Sequence, residues 1–127
     1  MYILVLSMAI VSENENWIVE RGAIVVEKFV RVGVTGLSTW ECLVHCLWEA
    51  DYMMRNAGDF ANAVDLNPDF QNDAKRFASE LMLPVTCEAF SLSSLDLERE
   101  YFDRFEAVCN EIRSADLSSG ADCDCQN

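Results

Sequence analysis

His45 is the single histidine of the chain, and it stands between two cysteines, Cys42 and Cys46. On a helix the three side chains fall at i, i+3 and i+4 and share one face, so an imidazole and two thiolates could converge on a soft metal such as zinc. A fourth ligand would have to come from elsewhere, such as Cys123 or Cys125. Recognised zinc sites draw on cysteine pairs carried by turns, and no such pair occurs here. Cys42, His45 and Cys46 therefore read as a buried or half-exposed helix face rather than a metal set. They also make a poor nucleophile and base. Neighbours on a helix point about 100° apart, which aims Cys46 away from His45 and leaves Cys42 only a fair partner. No metal and no cofactor are expected.

Carboxylates offer the other chemistry. General acid–base work needs a carboxyl in an apolar pocket with a raised pKa. Asp51 comes nearest, since it follows Trp40, Val44 and Leu47 around one helix, but Arg55, four residues on, is its expected ion-pair partner. The acids from Asp96 to Glu111 are interleaved with Arg99, Arg104 and Arg113 and read as an outward face, not a catalytic pair. Gly33 and Gly36 lack the following lysine of a phosphate loop. Asp65-x-Asn67-Pro68-Asp69 offers oxygen ligands, yet proline stiffens its centre and no glycine follows at the sixth loop position, so calcium is not expected. No catalytic residue is assigned.

What remains is charge. The chain has 127 residues, 51% of them hydrophobic, with 22 acids against 9 bases and a net charge of -13. Residues 1–58 hold 7 acids and 4 bases (net -3), whereas residues 59–127 hold 15 acids and 5 bases (net -10). Such a surface repels nucleic acid and anionic membranes and attracts basic proteins. Neither direct nucleic-acid binding nor membrane association is expected. Cys42, Cys46, Cys87 and Cys109 lie in apolar, helical contexts where free cysteine acts as a small hydrophobe. With no disulfide framework, a reducing compartment and hence the cytoplasm is expected. Residues 3–11 (ILVLSMAIV) are too few to span a bilayer and lack the basic lead and cleavage site of a signal peptide. They read as a core strand or first helix, with Met8 as an alternative start.

The elements that position these residues are mostly α: a single domain over residues 1–114, a small bundle of about four to five helices with room for a short N-terminal β-hairpin. A polar, flexible tail is expected over residues 115–127. Ser12–Asn16 reads as a polar turn. Residues 23–34 alternate like a strand and also carry a helical stripe, with β-branched enrichment favouring the strand. The capping box Ser38-x-x-Glu41 opens a helix to about Arg55 that buries Trp40, Leu43, Val44, Leu47, Trp48 and either Tyr52 or Met54. Asn56-Ala57-Gly58 stops it. A short helix over 59–66 follows, and then one capped by Asn67, with Pro68 at its first position. That helix turns Phe70, Ala74, Phe77, Ala78, Leu81 and Met82 inward, and Pro84 follows its end. Ser93 or Ser94 caps the last helix, which runs to about Arg113 and buries Leu95, Phe102, Phe105, Val108, Cys109 and Ile112.

The run Leu37–Phe60 (LSTWECLVHCLWEADYMMRNAGDF) resembles the helix–turn core of an acidic, all-helical bacterial family that includes a DNA-mimic protein. In that family an acidic helix leads into an Asn-Gly-Gly-Phe turn. Asn56-Ala57-Gly58-Asp59-Phe60 departs from it by an alanine and an inserted aspartate. The helix at 67–82 and the segment Leu97–Ile112 follow the family's order of elements. The resemblance implies an all-α fold that binds protein through negative charge, without catalysis. Carboxylates three and four residues apart on a helix are spaced roughly 5–6 Å, and several such helices could imitate the phosphates of a duplex. The expected partner-facing set is Asp59, Asp65, Asp69, Asp73, Asp96, Glu100, Asp103, Glu106 and Glu111, with Asn56 and Gly58 forming the turn. The partner would be a basic DNA-binding protein or, as immunity proteins do, a cationic toxin. A small enzyme or metal site at Cys42, His45 and Cys46 is the alternative, and two copies would pair through the apolar N-terminal segment.

Overall fold

Ser12 and Glu15 decide where the first helix begins. The Ser12 hydroxyl accepts the Glu15 N–H at 3.0 Å while the Glu15 carboxylate accepts the Ser12 N–H at 3.3 Å. This reciprocal box satisfies two of the donors that every helix start leaves open. The structure, a computed structural model of the chain, describes residues 12–61 and 67–126, with side chains as far as Asp116. In it α1 runs over Glu13–Val32. Two expectations are corrected here. Ser12–Asn16 is a helix start and not a turn, and residues 23–32 are helical and not a strand. The helical period won because Ile18, Gly22 and Val25 share one buried face, and packing outweighs the few tenths of a kcal/mol that β-branched residues cost a helix. The hairpin goes with the strand: no strand occurs among the described residues. Residues 3–11 lie outside them.

Gly33, at φ 76°, ends α1 by donating to the Phe29 carbonyl at 2.8 Å, and one 3-10 turn, Val34–Gly36, leads onward. Then α2 spans Thr39–Asn56 behind the expected Ser38/Glu41 box. Its core face carries Trp40, Leu43, Val44, Leu47, Ala50 and Met54, whereas Tyr52 is exposed. Gly58, at φ 77°, takes the left-handed position and donates to the Met53 and Met54 carbonyls at 3.1 and 3.0 Å.

The third helix, α3, is Phe70–Glu80, which corrects the expected cap. Asn67 is the first residue of a turn whose carbonyl accepts the Phe70 N–H at 3.0 Å, with Pro68 in the second position that its fixed φ favours. Met82 has φ 60° and is exposed, not inward. Most of the short helix expected over 59–66 falls on residues 62–66, outside the described ones. A helix not foreseen, α4 (Pro84–Ser91), starts on Pro84 at its first turn, where the missing N–H costs nothing.

The last helix, α5, is Ser94–Gln126, and the Ser93 hydroxyl accepts the Asp96 N–H at 3.1 Å. Its assigned bounds pass the boundary expected at residue 114. Its buried stripe is Leu97, Tyr101, Phe105, Val108, Cys109 and Ile112, with Leu95 and Phe102 outside. Phe105, Val108, Cys109 and Ile112 are buried as expected, and Leu97 and Tyr101 take the places expected of Leu95 and Phe102. Helix α2 lies at the centre against α1, α3 and α5, and α4 bridges α3 and α5. The result is a small all-α domain of five α-helices among the described residues.

Candidate functional site

Of the nine carboxylates expected to face a partner, Asp65 lies outside the described residues. Asp59, Asp69, Asp103 and Glu106 are exposed, and Asp73, Asp96, Glu100 and Glu111 are half-buried. Glu111 is committed to the fold. Its carboxylate accepts the N–H groups of Val85 at 3.0 Å and Thr86 at 2.7 Å, capping α4, whose own N-cap residue Leu83 has no side-chain acceptor. Glu106 accepts the amide of buried Asn14 at 2.7 Å, and Arg113 donates to the other end of that amide at 2.8 Å. Asn14 thus ties α1 to α5.

The four arginines of the acidic half are also paired within the molecule, and Lys75 alone of its bases has no ion-pair partner among the described residues. Arg76 pairs with Asp73 at 3.2 Å, Arg104 with Glu100 at 2.9 Å and Glu88 at 3.7 Å, Arg113 with Glu13 at 3.6 Å, and Arg99 with Asp96. Asp59, Asp69, Glu80 and Asp103 have no ion-pair partner among the described residues, so the negative surplus is displayed to solvent at the α2–α3 connection, the end of α3 and the middle of α5. The turn at Asn56 and Gly58 is built for packing. The Asn56 amide donates to the Tyr52 carbonyl at 2.7 Å, and the turn delivers Phe60 into the core against Phe70 and Tyr101, with ring centroids 5.4 and 6.3 Å away.

The cysteine–histidine face is mainly inward. Cys42 and Cys46 are buried free thiols, and burial pushes both thiols up, Cys46 furthest, the reverse of what a nucleophile or a ligand thiolate needs. His45 stacks on Phe29 at 4.9 Å, and its Nδ1 lies 3.6 Å from Glu49 Oε1. Burial raises the Glu49 carboxyl above its ordinary value, against the pull of His45 and of a hydrogen bond from Asn67. A cavity of about 290 Å³ opens here, lined by Phe29, His45, Cys42, Asn67, Asp73 and Phe77 among others. No group of three His, Cys, Asp or Glu among the described residues has the arrangement to hold a metal ion.

Asp51 behaves as its spacing predicts. It is 4% exposed, and Arg55 Nε approaches its two carboxylate oxygens at 3.0 and 2.9 Å. Sequence alone missed the third member. The Tyr101 hydroxyl donates to the same carboxylate at 2.7 Å, and burial, followed by the Asp51 charge, holds the Tyr101 phenol well above its usual range. Asp51 thereby anchors α2 to α5. Compared with protein-family models, with curated proteins and with solved structures, the chain matches none. No described helix is long and apolar enough to cross a membrane.

Proposed function

We propose that this chain is a non-enzymatic acidic binding module that docks on the basic surface of another protein, and that it competes there with the polyanion the surface normally holds. One observation carries the reading: in the acidic half the arginines are paired within the molecule, while Asp59, Asp69, Glu80 and Asp103 face solvent without an ion-pair partner among the described residues. Fixed carboxylates of one sign steer a basic partner and raise its association rate. A DNA-binding protein is the partner class of choice, because its groove already accepts regularly spaced negative charge. The buried, raised thiols and the arginine-bound Asp51 leave the chemical alternatives without an activated group.

The test is a titration of the full chain against a panel of basic DNA-binding proteins, with duplex DNA as competitor. The expected result is binding that DNA reverses and that the triple variant Asp59→Asn/Asp69→Asn/Asp103→Asn weakens at least tenfold. Binding by a cationic toxin but by no DNA-binding protein would replace the partner class. Binding indifferent to the triple variant, or none to any basic protein, overturns the proposal.

A further inference from the structure

The outer side of α1 carries an apolar stripe that the other described residues leave largely exposed. Val19, Ala23, Val26 and Val30 recur at spacings of four, three and four, the period of a helix–helix seam. Val19 and Val30 are 60% and 78% exposed. The stripe continues onto α2. Gly22 has no side chain, and a Cβ there would stand 2.2 Å from Trp48 Cδ1, so Trp48 lies directly on α1. Tyr52, half-exposed, stacks on Trp48 at 5.5 Å. Single exposed valines need no explanation, but a seam continuous with an aromatic pair marks an interaction surface.

The charges beside the seam say what fits it. Residues 13–32 hold four acids (Glu13, Glu15, Glu20, Glu27) and three bases (Arg21, Lys28, Arg31), a net of -1, so two copies of a chain with net charge -13 can approach here with little repulsion. Glu20 and Arg31 are exposed on one flank near opposite ends of the seam, and neither has an ion-pair partner among the described residues. Set antiparallel about a two-fold axis, Val19 of one copy meets Val30 of the other, Ala23 meets Val26, and Arg31 comes beside Glu20 of the second copy, twice by symmetry. Such an isologous surface is self-complementary. We infer that the α1 stripe is a homodimer interface in which two copies pair antiparallel. It is independent of the acidic surface, which lies on the α2–α3 connection, α3 and α5.

Sedimentation of the full chain from micromolar to millimolar concentration reads the inference directly. The expected result is a monomer–dimer equilibrium, since so narrow a seam falls short of the ~800 Å² per partner of a tight complex. Val30→Glu, at an exposed site that leaves helicity unchanged by circular dichroism, is expected to weaken association at least tenfold. Glu20→Arg should weaken it several-fold, and the swap Glu20→Arg/Arg31→Glu should restore it. A chain monomeric throughout, including one whose residues 3–11 cover the stripe in cis, overturns the inference, as does a dimer indifferent to Val30→Glu or unrescued by the swap.

Discussion

At the scale of single residues, Asp51 and Glu49 differ in what faces them. Asp51 accepts hydrogen bonds from both Arg55 and the Tyr101 hydroxyl. Asp51→Ala leaves the buried Tyr101 phenol without its acceptor and Arg55 with Glu15 alone, so it should lower unfolding free energy by about 1–3 kcal/mol in a denaturant titration. Glu49 is half-buried and less fully matched: His45 Nδ1 lies 3.6 Å from its Oε1, which accepts no hydrogen bond, and burial holds its carboxyl above the ordinary 4.5 despite His45 and Asn67. A group whose folded pKa is raised contributes stability only while protonated, fully below its unfolded value, and loses it as pH rises through the folded value. Glu49→Gln should therefore raise the denaturation midpoint at pH 7, and the gain should vanish as pH falls below 4.5; an equal gain at both pH values would contradict this. Spacing alone disclosed the Asp51–Arg55 pair because it is local. Tyr101 and Asn14 reach their partners across fifty residues or more, and nothing near them in sequence announces it.

At the scale of elements, caps decided most of what was legible. Ser38 with Glu41, and Ser93 before the last helix, are local signals, and both cap where expected. Ser12 with Glu15 has the same spacing, but its polar setting (SENEN) reads as a turn when β-branched residues downstream suggest a strand. The distinction lay in tertiary packing, which the periodicity of residues 18–25 carried only faintly. Helix α4 was missed for a related reason: its cap, Glu111, comes from another helix 25 residues later. Glu111→Ala should thus cost about 1–2 kcal/mol and deprotect the amides of Val85 and Thr86 in hydrogen exchange before those of α2; uniform deprotection would show that Glu111 does not act as a local cap. Leu95 and Phe102 were misplaced because a stripe of mixed aromatic and aliphatic residues fits two helical faces equally well. Only the neighbours, Phe60 against Tyr101 and Leu97 beneath α4, choose between them.

At the scale of the molecule, the fold separates two surfaces. The first 58 residues supply all of α1 and α2 and a near-neutral seam, and the rest supplies most of the charge. The arginines of that half are all paired, three with acids of the same half and Arg113 with Glu13, and the surplus carboxylates are left facing solvent. Composition disclosed the surplus, and only the structure distinguishes the carboxylates that serve as caps and anchors from those that face solvent. The most direct measurement is the dissociation constant of the complex with a basic DNA-binding protein as ionic strength is raised. If displayed carboxylates make the interface, log affinity should fall steeply and linearly with log salt, and the slope should flatten in the Asp59/Asp69/Asp103 variant. An affinity that does not change with salt would contradict the account.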